Sequence, residues 1–169
     1  RAILYKNENN TVYYSGVTLT QEMFTPTDTD ASVFQANDRP YAGTLFATQF
    51  ADVRFPEKKR RIYTAFSLGV IGPGAATQQT QSFIHRITPS DEPMGWDHQI
   101  RQGLLINYSV QVEQGLMYTN NFLWSINAQS DFGTYKTNIG ASTFIRFGKF
   151  NNYYHSLPVN KSITDWQLY

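Results

Sequence analysis

The sequence predicts an all-β, antiparallel fold carrying one short helix near 75–87, and three observations predict it. Beyond Ile100, apolar and polar residues alternate with period two through three consecutive long stretches, the mark of strands with two unlike faces. Helical spacing occurs after the Gly72-Pro73 break, where Gln78, Gln81 and His85 recur at intervals of three and four and share one face. No stretch approaches the roughly 18 consecutive apolar residues of a spanning helix, so membrane contact, if made, is made by strands.

Each element follows from local pattern. Residues 12–20, 21–26, 40–54 and 61–71 read as strands, separated by the polar 27–38 and by Pro56-Glu-Lys-Lys-Arg-Arg61. In the helix, Phe83, Ile84 and Ile87 fall off the polar stripe and are expected to anchor it. Leu104, Ile106, Tyr108, Val110 and Val112 then share one face, opposite Leu105, Asn107, Ser109, Gln111 and Glu113. A turn is expected at Gln114-Gly115. Next come Tyr118, Phe122, Trp124 and Ile126 against Thr119, Asn121, Ser125, Asn127 and Gln129. Past Asp131-Phe-Gly133, Ile139, Ala141, Thr143, Ile145 and Phe147 stand against Asn138, Gly140, Ser142 and Arg146. Such alternation fits a barrel whose apolar face meets lipid and equally a soluble sandwich whose apolar face is the core. Period alone favours neither. Residues 14–26 look too short for two membrane strands and a turn, and Asp165-Trp-Gln-Leu-Tyr169 reads as the opening of a strand. The expectation is therefore part of a longer protein, one barrel domain over 1–169, with any leader peptide already removed.

Composition narrows the function classes. With 14 basic and 13 acidic residues the net charge is +1, which leaves no electrostatic footprint for nucleic acid. The absence of cysteine excludes disulfides and thiolate metal sites. His98 and His155 lack ligand spacing with His85, so a three-histidine zinc site is not expected. His98 reads as a support of its loop.

Three motifs carry a resemblance. They are Asp38-Arg-Pro-Tyr-Ala-Gly43, which alone reads as a loop-to-strand corner with a structural Asp–Arg pair; Gly69-Val-Ile-Gly-Pro73 continuing to Gln81-Ser-Phe-Ile-His85-Arg86; and Glu92-Pro-Met-Gly-Trp96-Asp-His-Gln99. In order and spacing they resemble the lipid A 3′-O-deacylase family of bacterial outer-membrane enzymes. The resemblance implies a twelve-stranded, membrane-embedded antiparallel barrel, about eight strands of it represented here, with a site on its outer wall beneath an extracellular-loop helix. It also implies a substrate, lipid A of the outer-leaflet lipopolysaccharide, that loses its 3′-linked acyloxyacyl group by calcium-dependent ester hydrolysis.

Residue by residue, His85 matches the family's catalytic histidine. An imidazole, with an ordinary pKa near 6.5, can take a proton from water at neutral pH. Gln81 matches the glutamine one turn earlier, which could orient the imidazole or the substrate. Ser15 stands where the family usually has threonine. Asn7-Glu8 takes the place of an Asn-Asp pair, whose oxygens would serve Ca2+ or another divalent cation. Asp91 occupies a position where the family can carry glutamate, so Asp91 or Glu92 is a candidate second carboxylate. The family's basic loop residue has no counterpart in Thr25-Pro-Thr-Asp-Thr-Asp30. Lys58, Lys59, Arg60 and Arg61 read as a solvated periplasmic turn, and Tyr118, Trp124, Tyr153 and Tyr154 as interfacial girdle aromatics. Two further readings stay open: a non-catalytic barrel within a larger envelope complex, and a phospholipase using Ser15 and His85 as nucleophile and base.

Overall fold

The computed structural model describes residues 11–88, 91–149 and 153–155, together with the backbone of 167–168. In chain order the elements are β1 (Val12–Phe24), β2 (Ala42–Phe55), β3 (Arg60–Ile71), a 3-10 turn (Pro73–Ala75), α1 (Thr77–Ile87), a second 3-10 turn (Trp96–His98), β4 (Gly103–Tyr118), β5 (Phe122–Gly133), β6 (Asn138–Gly148) and the two-residue β7 (Gln167–Leu168). The strands form one antiparallel sheet in the order β1-β2-β3-β4-β5-β6-β7, so every strand pairs with its neighbours in sequence. Among the described residues its two ends do not pair, and the sheet is open.

Two expectations about element boundaries change. Residues 12–20 and 21–26 are one strand, β1, because no glycine, proline or turn pair interrupts Thr18-Leu-Thr-Gln-Glu22. The apparent shortage of chain there disappears. Gln114-Gly115 is not a turn: β4 runs on to Tyr118, and its register shifts between Gly115 and Met117 as a bulge. Gly115 N–H donates to the Lys59 carbonyl at 2.7 Å, and a Cβ at this position would stand 2.6 Å from the Tyr154 hydroxyl. The glycine thus admits a close approach within the strand, and the chain reverses at 119–121, where Thr119 N–H donates to Phe122 O.

Exposure decides between barrel and sandwich. Leu104, Ile106, Val112, Trp124, Ile126, Ile145, Phe147 and Ile139, the last 87% exposed, lie open, whereas Asn107, Glu113, Ser125 and Arg146 are buried. A soluble sandwich would show the reverse. The apolar face is the outer one, as a lipid-facing wall requires.

The described residues divide into two compact units, one holding 11–17, 49–66, 107–149 and 153–155, the other 18–48, 67–88 and 91–106. In the first, the inner face carries a buried polar cluster. Asp52 accepts from Arg61 Nε at 3.0 Å and pairs with Arg54 at 3.4 Å, while Arg54 Nη1 donates to the Tyr153 carbonyl at 2.7 Å. Glu113 accepts the hydroxyls of Tyr153, at 2.8 Å, and Tyr154, at 3.3 Å. Each buried charge therefore has a partner, without which its desolvation would be costly. Burial, followed by the negative charge of Glu113, pushes the Tyr153 hydroxyl up to about 12 and raises Tyr154 as well.

This cluster corrects two readings. Tyr154 is fully buried, edge-on to Tyr118 and Tyr153, so these three are not girdle residues. Trp124 alone of the four lies on the exposed outer face, its indole N–H donating to Thr143 Oγ1 at 2.9 Å. Arg61 likewise leaves the supposed solvated turn for the Asp52 pair, whereas Lys58 stays at the turn, over the Phe55 ring.

Candidate active site

The second unit contains all three sequence motifs, and its construction begins at two glycines. β3 is followed by Gly72, whose φ of 93° is open to glycine and whose N–H donates to Gly43 O at 2.8 Å. Pro73 then opens the 3-10 turn, and Ala76, left-handed at φ 55°, starts α1 without a side-chain cap. The first helical residue, Thr77, is 1% exposed, and a Cβ on Gly43 would fall 1.9 Å from its hydroxyl. Gly43 therefore lets β2 and the helix start touch.

Strand alternation fixes which wall α1 lies on. Gln21 Nε2 donates to Ala75 O at 2.7 Å, whereas its neighbour Glu22 accepts from the buried Thr44 Oγ1 at 3.2 Å. Successive side chains point to opposite faces, so the helix start rests on the face away from Thr44 and Glu22. That is the outer face, shared with the exposed Leu19.

On α1, His85 is half-buried and its Nδ1 stands 2.5 Å from the Asp91 backbone carbonyl. A carbonyl can only accept, so in the neutral ring Nδ1 carries the proton and Nε2 keeps a lone pair. One turn back, Gln81 Oε1 accepts the indole N–H of Trp96 at 2.7 Å. Because that N–H is a donor only, the amide is fixed with its NH2 as the remaining donor end. Trp96 is 2% exposed and packs on Tyr41 with ring centroids 4.8 Å apart. Tyr41 in turn donates its hydroxyl to Thr29 O at 3.1 Å and accepts Ile100 N–H at 3.0 Å on its carbonyl. Burial raises the pKa of that hydroxyl.

Gln81 and His85 are thus brought together on one helix, braced by Trp96 and the Asp91 backbone. Asp91 meets the histidine through its carbonyl, while its side chain is at the exposed surface. Glu92 pairs with Arg86 at 3.6 Å in the open, an interaction of little energetic weight. Ser15 lies exposed on β1, in the other unit. Asn7 and Glu8 lie outside the described residues. Among the described residues, no three histidine or acidic side chains group as a metal cluster.

The expected helix anchor is overturned. Phe83, Ile84 and Ile87 are 62%, 44% and 68% exposed, and the helix is held instead by Thr77 and Gln81. The sequence reading missed Trp96 and Tyr41 as supports. Their signal was present, since a buried indole or phenol in a polar loop needs a partner for its N–H or O–H.

Asp38 and Arg39 act on the backbone. Asp38 accepts Thr27 N–H at 2.6 Å and Arg39 N–H at 2.7 Å, and these bonds hold its carboxyl below the usual range. Arg39 Nε donates to Thr25 O, and His98 Nε2 bonds Ser32 O at 3.2 Å, so both residues tie down the 25–38 loop.

Comparison with known proteins agrees with this fold. The family model for outer membrane protein LpxR matches residues 2–169. The fold is similar to the solved structure of LpxR from Salmonella typhimurium, with a TM-score of 0.61 at 16% identity. That match covers 82% of this chain and 49% of the other, so the chain spans about half the length of that relative. No curated protein sequence matches.

Proposed function

The chain belongs to the outer membrane protein LpxR family, and from that membership we propose that it forms part of an outer-membrane lipid A deacylase with His85 as general base. The observation that carries the proposal is the bond between His85 Nδ1 and the Asp91 carbonyl, which leaves Nε2 as the basic nitrogen of the neutral ring.

Nε2 takes a proton from water as the water oxygen attacks the 3′ ester carbonyl of lipid A. The acyl C–O bond then breaks, the imidazolium returns its proton to the departing sugar oxygen, and the products are a free acyloxyacyl acid and a 3′ hydroxyl. The Gln81 amide, its oxygen held by Trp96, offers N–H donors to substrate on the same helix face. Ser15, which stands where the family usually has threonine, is the proposed supporting hydroxyl.

A bound calcium ion, or another divalent cation, would supply Lewis-acid polarisation of the ester carbonyl. Asn7, Glu8 and Asp91 are its proposed oxygen donors, the hard ligands such an ion prefers. The direct test incubates the full-length protein with purified lipid A, with calcium or with chelator, and reads product masses. Loss of the 3′ acyloxyacyl mass in calcium alone is expected. Unchanged lipid A in both arms overturns the enzyme reading and leaves the non-catalytic barrel.

A further inference from the structure

Unlike a helix docked on a soluble core, α1 leaves its apolar residues Phe83, Ile84 and Ile87 exposed, alongside Gln78, Gln79 and Arg86. Its polar residues Gln81 and His85 are half-buried against Trp96 and the Asp91 backbone, while Phe83 and Ile87 are among its most exposed residues. At 3.6 residues per turn, Phe83 and Ile87 lie on the side roughly opposite Gln81 and His85, with Ile84 between. In water such an arrangement exposes apolar surface with no compensating contact.

We propose that the Phe83–Ile84–Ile87 edge is immersed in the acyl-chain layer of the outer leaflet, so that α1 is a membrane-embedded lid rather than a solvated one. Three observations favour lipid as the occupant. The family is an outer-membrane one. α1 begins on the outer face of the sheet, through Thr77 against Gly43 and Ala75 against Gln21. That same face exposes Leu19, Leu68, Leu104 and Ile106 in this unit, so the helix edge continues a surface already built for lipid. Burying such an edge at the boundary between headgroups and acyl chains is how interfacial helices bind. A lipid-embedded edge also turns His85 and Gln81 back towards the wall, where a lipid substrate reaches them without leaving the leaflet. The proposal rests on the family assignment and not on the ester chemistry, so it is testable even in a protein without deacylase activity.

These 169 residues hold no cysteine, so site-directed spin labelling in lipopolysaccharide-containing vesicles uses the full-length protein with any cysteine of its remaining chain first replaced by serine. Labels are placed through Phe83→Cys, Ile84→Cys and Ile87→Cys, with Leu19→Cys as the lipid-facing reference and the exposed Asp97→Cys as the aqueous one. Collision rates with oxygen, which concentrates in acyl chains, and with a water-soluble nickel chelate are compared at each site. The expected result is an oxygen-dominated ratio at 83 and 87 matching position 19, and a nickel-dominated ratio at 97. Nickel dominance at 83 and 87 places the edge in water and overturns the proposal. Exclusion of both reagents there, the sign of protein cover from further chain or a partner, overturns it equally.

Discussion

Gly43→Ala is the most informative single substitution. The added Cβ would stand 1.9 Å from Thr77 Oγ1, 2.6 Å from its Cγ2 and 2.7 Å from its Cβ, where ordinary contact begins at 3.4 Å. The shortfall at the hydroxyl is about 1.5 Å, and neither side can yield through a flexible tip, since one atom sits on a strand and the others on the first residue of a helix. The helix start must lift. Overpacking of this kind costs about 1–3 kcal/mol, but the strand ladder is untouched, so the loss falls on α1 and not on the sheet. A displacement of about 1 Å at a catalytic group can reduce rate by about 10²-fold. The expected outcome is thus a roughly hundredfold lower kcat on lipid A vesicles, with the thermal transition of the sheet, followed by circular dichroism, little changed. The double variant Gly43→Ala with Thr77→Gly removes all three clashing atoms and should recover most of the rate, whereas Thr77→Ala, which keeps the 2.7 Å contact, should recover less. Wild-type activity in Gly43→Ala would refute the seating of the helix.

Three further outcomes follow from named contacts. Trp96→Phe keeps the ring against Tyr41 but deletes the N–H that Gln81 accepts, so it should destabilise the loop by about 1 kcal/mol and lower kcat more than it raises KM. Asp38 has a depressed carboxyl pKa in the folded loop, so its support is present above the unfolded value near 4 and is lost as pH falls through the folded one. Protease nicking within 25–38 should therefore rise in acid, and Asp38→Asn should show the faster nicking already at neutral pH. Tyr153 has the opposite sign: its pKa is raised to about 12, so the stability it contributes is complete below about 10 and lost as pH climbs towards 12. Glu113→Gln removes the adjacent negative charge, and ultraviolet titration of the tyrosines should then show the highest-pKa phase moving down.

Strands were readable from period two because alternation survives any environment, and β4, β5 and β6 follow it closely. Which face lies outward was not readable, because Leu104 and Asn107 would alternate identically in a sandwich and only burial separates the cases. The same gap explains the helix. Anchoring by Phe83, Ile84 and Ile87 is expected on the premise that apolar side chains turn away from solvent, a premise that fails where the surroundings are themselves apolar. Tyr153 and Tyr154 were misplaced for a related reason: aromatic residues after the last long strand match a girdle in composition, and nothing local announces the Glu113 carboxylate about forty positions away. At the site, Gln81 and His85 were legible as a one-turn pair. The group that sets the tautomer of His85 was not, because it is a backbone carbonyl, and every residue has one. Trp96 lay in plain view within its motif, but its role depends on a partner 15 residues away.

In the proposed function, the imidazole on α1 removes the proton that lets water cleave the 3′ ester. This step is tested most directly by comparing lipid A masses after incubation with the wild-type full-length protein and with a His85→Ala variant that keeps the wild-type sheet signal. The variant's rate is expected to fall by about 10²-fold to 10⁴-fold, the usual contribution of a general base. Equal deacylation by the two proteins would contradict it.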